Sequence, residues 1–184
     1  MNEVHITYLG AHPHTHMGHV NDIISYMPTG SYIGLSSKSK VMPDLSRTIL
    51  TGTQTNFMHT TNSYDSIGHL ISNAISRYTD PVALFIHLGH DRVNFAERIK
   101  SGLQNNTFLE IPNSSQRVAK IENVIAPKRS HSLSGTRMRQ AILDDDFKTY
   151  YEHIGDSFSE TVAGCIMNTL RDMMISQGVG VKRK

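Results

Sequence analysis

The sequence predicts an α/β protein with a single doubly wound parallel sheet and a C-terminal helix. A short apolar segment at residues 4–9 is followed by apolar residues at helical spacing over 17–27, and this alternation of patterns recurs along the chain. Residues 82–86 are apolar without alternation, which is typical of a strand buried on both faces of a parallel sheet. Ligands of such folds bind beyond the carboxyl ends of the strands, so function is expected in the turns that follow strands.

The elements of the first half are predicted from apolar spacing and from turn residues. They are a strand at residues 4–9, a helix at 17–27, a strand at 31–35, a helix that begins at residue 44 and loses definition near residue 52, and a helix at 66–79. Pro28 with Gly30, and Asp80 with Pro81, supply breaks between them.

The second half continues the alternation after the central strand at 82–86. The first predicted elements are a helix with Val93, Ala96, Ile99 and Leu103 on one face, a polar connection at 105–115 and a strand within 118–127. A helix with Met138, Ala141, Ile142 and Leu143 on its inner face follows, and then a short packed segment with Tyr150, Tyr151 and Ile154. The last element is a helix at about 157–176, whose apolar residues are Phe158, Val162, Ile166, Leu170, Met173 and Met174. Three aspartates at 144–146 close one helix or begin the next, and because consecutive carboxylates point in different directions a solvated charge cluster is favoured over a metal site.

Length and charge restrict the class of protein. The 184 residues fit one domain over 1–184, with a core at about 3–152 and the C-terminal helix beyond it. A net charge of +2 gives no reason to expect nucleic acid or an anionic membrane as partner. The single Cys165 agrees with a reducing compartment, and neither a signal peptide nor an apolar segment of about 20 residues is evident. We therefore expect a cytoplasmic protein.

The turn after the first strand, residues 10–19, holds the most informative sequence, Gly-Ala-His-Pro-His-Thr-His-Met-Gly-His. The start of a helix presents unpaired N–H groups and the positive end of the macrodipole, so it attracts phosphate. Gly18 would let a ligand approach the backbone, and His16 and His19 would add hydrogen-bond donors. The sequence therefore predicts a phosphate site in this turn.

Two motifs in this order resemble those of the HxGH nucleotidyltransferase superfamily. Residues 16–19, His-Met-Gly-His, resemble the first motif, and residues 132–139, Ser-Leu-Ser-Gly-Thr-Arg-Met-Arg, resemble the second, [SI]-S-x-T-x-x-R. Residues 33–40 and 89–92 resemble phage-encoded members, so the resemblance covers roughly residues 3–152. One departure lies in the first loop, where the family has G-x-F-x-P-x-H-x-G-H but this chain has His12 at the aromatic position and Pro13 one place early.

The resemblance implies a Rossmann-like nucleotidyltransferase fold and a transfer reaction. A phosphate oxygen of the acceptor attacks the α-phosphorus of a nucleoside triphosphate and pyrophosphate leaves, which requires positioning and charge stabilisation rather than a covalent nucleophile. Mg²⁺, carried mainly by ATP, is the implied cofactor. The implied catalytic residues are His16, His19 and Arg139. The implied nucleotide-binding residues are Gly10, Ala11, His12, Gly18, Lys38, Gly89, Asp91, Arg92, Ser134, Gly135, Thr136 and Arg137.

Several of these residues have a second interpretation. Asp91 and Arg92 could serve as a helix cap or an ion pair, Lys38 could belong to a solvated loop, and Ser134 or Thr136 could be the N-cap of the helix that follows. On a helix, the side chain of Arg137 points about 100° away from those of its sequence neighbours. Its role in phosphate binding is therefore less defined than that of Arg139.

The form of the second motif, with Ser134, Gly135 and Thr136, resembles nicotinamide mononucleotide adenylyltransferases. Adenylyl transfer from ATP to nicotinamide mononucleotide, which gives NAD, is therefore the first hypothesis, and the partners are a nucleoside triphosphate and a phosphate-bearing small molecule. The alternatives in the same class are cytidylyl transfer and adenylyl transfer to phosphopantetheine. Relatives often form homo-oligomers, and the methionine-rich C-terminal helix offers an interface.

Two alternatives lie outside this class. The H-x-H spacing of His12 with His14, or of His14 with His16, is also found in zinc-dependent hydrolases. Those barrels need about 250 residues, and no later series of histidine and carboxylate ligands is evident here. The other alternative is a nucleotide sensor that keeps the fold without turnover.

Overall fold

The computed structural model describes residues 1–10, 13–36, 44–52, 59–64, 66–129 and 131–178. Within them, five strands form one sheet of order β3-β2-β1-β4-β5, and every neighbouring pair is parallel. The strands are β1 (Glu3–Leu9), β2 (Tyr32–Ser36), β3 (His59–Tyr64), β4 (Val82–Leu88) and β5 (Val118–Ile125). The first strand thus lies at the centre and the order reverses beside it, which is the topology of a doubly wound sheet. The predicted fold class is confirmed.

Eight α-helices lie in the described part of the chain. They are α1 (Met17–Asp22), α2 (Asp44–Gly52), α3 (Ile67–Ile75), α4 (Val93–Gln104), α5 (Ser114–Arg117), α6 (Gly135–Leu143), α7 (Phe147–Ile154) and α8 (Glu160–Ser176). Two 3₁₀ turns accompany them, Ile24–Tyr26 and Gly155–Ser157. None of the helices among these residues has both the length and the apolar composition that crossing a membrane requires.

The chain divides into two compact units, each assembled from separate segments. The sheet unit comprises Met1–Leu9, Asp22–Ser37 and Phe57–Arg129, and the helical unit comprises Gly10–Asn21, Lys38–Asn56 and Ser130–Lys184. A single domain over 1–184 stays a prediction.

The core of the sheet unit lies between the sheet and helices α3 and α4. The apolar stripe of α3 is buried as its spacing predicted, and it packs with the central strands in one cluster. Ser66 begins this helix, because its hydroxyl accepts a hydrogen bond from the His69 N–H. The helix ends at Ile75, four residues before the predicted end at residue 79.

The helical unit has its own core, formed by α2, α6, α7 and α8. Met138, Ala141 and Ile142 are buried, as predicted for α6. The buried stripe of α8 agrees with the predicted one in part. Leu170 and Met174 are buried as predicted, but Ala163 and Met167, which were not predicted, complete the stripe. Val162 is 47% exposed, because it is one residue, or about 100°, away from Ala163 on the helix. The helix begins at Glu160, after the cap residue Ser159, rather than near residue 157.

Two further predictions about elements are corrected by the structure, and one strand was missed. The helix predicted at 17–27 ends at Asp22, and the backbone at Ile23 (φ −124°) leaves helical geometry before the 3₁₀ turn. Strand β3 was not predicted, since its sequence, His-Thr-Thr-Asn-Ser-Tyr, has no apolar pattern and the strand lies at the edge of the sheet. The connection predicted at 105–115 runs into the short helix α5 after Asn113, whose φ is +58°.

Candidate active site

The first motif lies in the helical unit, at the entry to α1, where the chain is held by buried contacts. His14, Thr15 and His16 are at most 1% exposed. The Thr15 N–H donates to the Ser46 hydroxyl over 2.8 Å, and the His19 N–H donates to the His16 carbonyl over 3.0 Å. The loop is therefore pre-organised by the protein itself.

His16 and Gly18 form a close pair inside this motif. The Gly18 N–H donates to His16 Nδ1 over 3.0 Å, so the proton of the neutral His16 ring is on Nε2. A Cβ atom on Gly18 would lie 2.6 Å from His16 Cε1 and 3.2 Å from His131 Cε1. Gly18 was predicted to admit a ligand, and the structure gives it a further reason, which is room for two imidazole rings.

We expect the Gly18→Ala substitution to destabilise the protein by about 1–3 kcal/mol, the usual cost of overpacking a buried site. The matched control is Gly164→Ala in α8, where the added Cβ would meet its nearest neighbour, Phe147, at 3.8 Å. Because alanine favours helix, the control should be neutral or more stable by up to about 1 kcal/mol. Urea unfolding measures both variants, and equal stability of the two would contradict the packing described for Gly18.

His19 lies beside His16 and faces outward. The two rings are stacked with centroids 4.1 Å apart, and His19 Nδ1 is hydrogen-bonded to the Thr15 hydroxyl over 3.0 Å. His19 is partly exposed, whereas His16 is buried. The two imidazoles are thus held side by side, and their predicted role as donors to a phosphate stays a prediction.

The second motif begins α6. Ser134 is its N-cap, since the serine hydroxyl accepts a hydrogen bond from the Arg137 N–H over 3.1 Å, and this resolves the choice between Ser134 and Thr136. Arg139 Nη2 donates to the Thr136 hydroxyl over 3.2 Å, so these two side chains share one face of the first turns. A Cβ on Gly135 would lie 3.3 Å from Arg139 Nη1. The start of α6 therefore combines a helix dipole with a guanidinium group and a hydroxyl.

The two motifs meet through residues that sequence reasoning did not single out. His153 of α7 accepts a hydrogen bond from the Ser134 N–H at Nε2 (3.2 Å), and its ring lies edge-on to His16 with centroids 5.9 Å apart. His131 lies next to Gly18 and accepts a hydrogen bond from the Leu133 N–H over 3.1 Å. His153 could have been predicted to lie near the site from the sequence, because it follows the packed Tyr150 by three residues and so lies on the same helix face.

His14 is a structural residue of this loop. Its Nδ1 is bonded to the Thr15 carbonyl, which can only accept, so Nε2 accepts the Tyr150 hydroxyl proton over 3.0 Å. Burial lowers the pKa of His14 to about 4, against the opposing effect of the Thr15 hydrogen bond, and burial also raises the pKa of Tyr150. Both nitrogens of His14 are thus engaged within the protein, which argues against an H-x-H metal site at His14.

The other potential metal ligands in the described part of the chain do not form a metal site either. There, no group of three or more histidine, cysteine, aspartate or glutamate side chains is arranged to hold a metal ion. The three aspartates at 144–146 have other uses: Asp144 ends α6, and Asp146 begins α7 by accepting from the Thr149 N–H. Asp145, with φ +57°, pairs with Arg171.

The remaining predicted residues fall into three groups. Gly89, Asp91 and Arg92 follow β4 in the sheet unit, and Asp91 and Arg92 are exposed. The cap interpretation of Asp91 is wrong, because Arg92 occupies the N-cap position of α4. In the described part of the chain, the Arg92 side chain makes no capping hydrogen bond. Its guanidinium group lies 5.2 Å from the centre of the Phe95 ring. Gly10 is exposed at the end of β1. Ala11, His12 and Lys38 lie outside the described residues.

The fold is a Rossmann-like doubly wound sheet, and it is similar to that of a solved nucleotidyltransferase structure. A solved structure that is similar to this chain is that of Plasmodium falciparum nicotinic acid mononucleotide adenylyltransferase complexed with APC, with a TM-score of 0.52. The alignment covers 97% of this chain and 96% of that chain at 13% sequence identity. No protein-family model matches the chain, and no curated protein matches it in sequence. At this identity the similarity shows the fold alone.

Proposed function

We propose that this protein is a nucleotidyltransferase that moves a nucleoside monophosphate from a triphosphate to a phosphate-bearing acceptor and releases pyrophosphate. The observation that carries the proposal is the meeting of both motifs in the helical unit, where His153 contacts Ser134 and His16. ATP is the favoured donor and nicotinamide mononucleotide the favoured acceptor. The neighbour named above, an adenylyltransferase of nicotinic acid mononucleotide, supports this choice at the level of the fold.

In this proposal the side chains act as donors to the phosphates. The imidazole N–H groups of His16 and His19 bind non-bridging oxygens and offset the negative charge that develops at the α-phosphorus. Thr136 and the start of α6 bind the β- and γ-phosphates, and Arg139 neutralises the leaving pyrophosphate. Since no covalent intermediate is needed, the rate depends on how firmly these donors are held.

The side chains proposed to bind phosphate fit a Mg²⁺ ion that enters the site bound to ATP. The side chains assigned to phosphate in the two motifs are imidazoles, hydroxyls and guanidinium groups, which donate hydrogen bonds to phosphate, whereas Mg²⁺ prefers oxygen ligands. The phosphate oxygens of ATP would supply those ligands, and the bound Mg²⁺ would neutralise part of the triphosphate charge.

The other proposed contacts surround the nucleotide. Gly10, Ala11 and His12, which precede the first motif in the sequence, would bind the nucleotide, with His12 at the position where the resembling family has an aromatic residue. Lys38 and Arg137 would add positive charge. Gly89, Asp91 and Arg92, which follow β4, remain proposed nucleotide contacts on the basis of the motif resemblance. We propose a cytoplasmic location for this reaction. A homo-oligomer with the C-terminal helix at its interface stays a prediction.

The experiment that tests this function is pyrophosphate release with Mg²⁺. Each of the four ribonucleoside triphosphates is paired with nicotinamide mononucleotide, nicotinic acid mononucleotide, phosphopantetheine and glycerol phosphate. We expect release with ATP and a pyridine mononucleotide, and none when the acceptor is omitted. Release with CTP and glycerol phosphate would instead identify a cytidylyltransferase, and binding of ATP without release from any pair would favour a nucleotide sensor.

A further inference from the structure

His153 is a buried histidine in contact with groups from three parts of the helical unit. It is 0% exposed, and its Nδ1 lies 2.7 Å from the Thr149 carbonyl oxygen of its own helix. Its Nε2 lies 3.2 Å from the Ser134 backbone nitrogen, and its ring is edge-on to that of His16. A polar ring in such a place is held by its partners rather than by solvent.

These partners fix the tautomer of His153. A carbonyl oxygen can only accept, so Nδ1 must carry the proton and donate to Thr149. A backbone N–H can only donate, so Nε2 must be unprotonated and accept from Ser134. A second proton on the ring would place two N–H groups against each other at Nε2, and the bond to Ser134 would be lost.

The bond to Ser134 acts on the residue at which the second motif becomes helical. Ser134 is the N-cap of α6, and the direction of the first turn determines where Thr136 and Arg139 point. On its other side the His153 ring supports His16, whose Nδ1 is already engaged by Gly18. One ring therefore contacts both motifs.

We propose that His153 is a positioning residue of the nucleotidyltransferase site, which holds the start of α6 and the His16 ring in register through its neutral, Nδ1-protonated form. The kinetic part of this inference rests on the proposed function. The residue lies behind the donors and is assigned no contact with substrate, so it acts through Ser134 and His16.

The charges around His153 agree with a neutral ring. Burial lowers its pKa, the hydrogen bond to Thr149 opposes this, the Arg137 charge lowers the pKa further, and Glu152 raises it. His14 of the first loop is the other histidine that interacts with it electrostatically, and a positive charge on His153 lowers the pKa of His14. Activity should therefore be lost as the pH falls and His153 is protonated.

Two amide substitutions separate the contacts of His153. The amide of glutamine extends to the position of Nε2, so His153→Gln can still accept from the Ser134 N–H. The amide of asparagine reaches only the position of Nδ1, so His153→Asn can keep the Thr149 contact but loses the one to Ser134. We expect His153→Asn to lower kcat about 10-fold or more with a KM for ATP within about threefold of the wild type, and His153→Gln to recover most of kcat.

The kinetic comparison is made at a temperature at which unfolding measurements show both variants to be folded. A merely structural role would lower the melting temperature of both variants and leave the kcat of the folded enzyme unchanged. Equal kcat values for the wild type and His153→Asn would therefore overturn the proposal.

Nuclear magnetic resonance of the free protein tests the inference without turnover. We expect the ¹⁵N resonances of the His153 ring to report the Nδ1-protonated tautomer at pH 7, and the Ser134 amide proton to shift in His153→Asn but much less in His153→Gln. An Nε2-protonated ring, or an unchanged Ser134 resonance in His153→Asn, would overturn the proposal. If the wild type releases no pyrophosphate with any pair of substrates, the proposed function fails while this measurement still decides whether His153 positions Ser134.

Discussion

Replacement of His19 by alanine is expected to lower kcat/KM for pyrophosphate release at least about 30-fold, which corresponds to about 2 kcal/mol of transition-state stabilisation. His19 is partly exposed and stacked on His16, so it can meet a substrate without a rearrangement of the core. Removing one donor to charge that develops in a transition state typically costs this much or more. Because His19 also stacks on His16 and is hydrogen-bonded to the buried Thr15 hydroxyl, the variant should lose about 1–3 kcal/mol of stability, and its kinetics are measured at a temperature at which it is folded.

The matched control is His69→Ala, which removes an exposed histidine from α3 in the sheet unit. Steady-state kinetics on the wild type and both variants, with the preferred triphosphate and acceptor, provide the comparison. We expect His69→Ala to keep kcat/KM within about twofold of the wild type. Near-wild-type turnover in His19→Ala would remove this residue from the site, and a loss confined to KM would assign it to binding rather than to the chemical step.

The elements that the sequence predicted best are those whose patterns reflect burial in a sheet. Strand β4 lies where its continuous apolar residues placed it, and the stripe of α3 is buried as its spacing predicted. Strand β3 has no such pattern, because its sequence is mostly polar and the strand lies at the edge of the sheet. The register of α8 could not be read from spacing alone, since apolar residues such as Val162 and Ile175 lie outside its buried stripe.

The two motifs were recognisable because the residues of each are close together in the sequence. The residues that pack against the motifs and hold them in place were not recognisable. The hydrogen bond between His14 and Tyr150 joins residues 136 positions apart, and the contact of His153 with His16 is equally remote in sequence. Local patterns contain no information on which helix will pack behind a loop. Thus Tyr150 was predicted to be packed, while its bond to His14 and the part played by His153 required the tertiary structure.

Acidification is expected to destabilise the protein through His14. Burial lowers the pKa of this histidine from 6.5 to about 4, so the unfolded chain binds a proton more readily than the native protein does between these pH values. Stability therefore rises with pH across this interval: the contribution is complete above about pH 6.5 and is lost as the pH falls to about 4. Since one pKa unit corresponds to about 1.4 kcal/mol, His14 should account for a loss of about 3 kcal/mol.

The variant His14→Gln separates this effect from the titration of other histidines, because glutamine carries an amide that can bond to Tyr150 but takes up no proton in this range. Free energies of unfolding are measured by urea titration of both proteins at several values between pH 4 and pH 7. The variant will be less stable at pH 7, where it lacks the fitted imidazole, but its stability should fall about 3 kcal/mol less than that of the wild type on acidification. Parallel curves for the two proteins would mean that His14 is protonated in the native state, and its bond to Thr15 and Tyr150 would then require a different arrangement of the first loop.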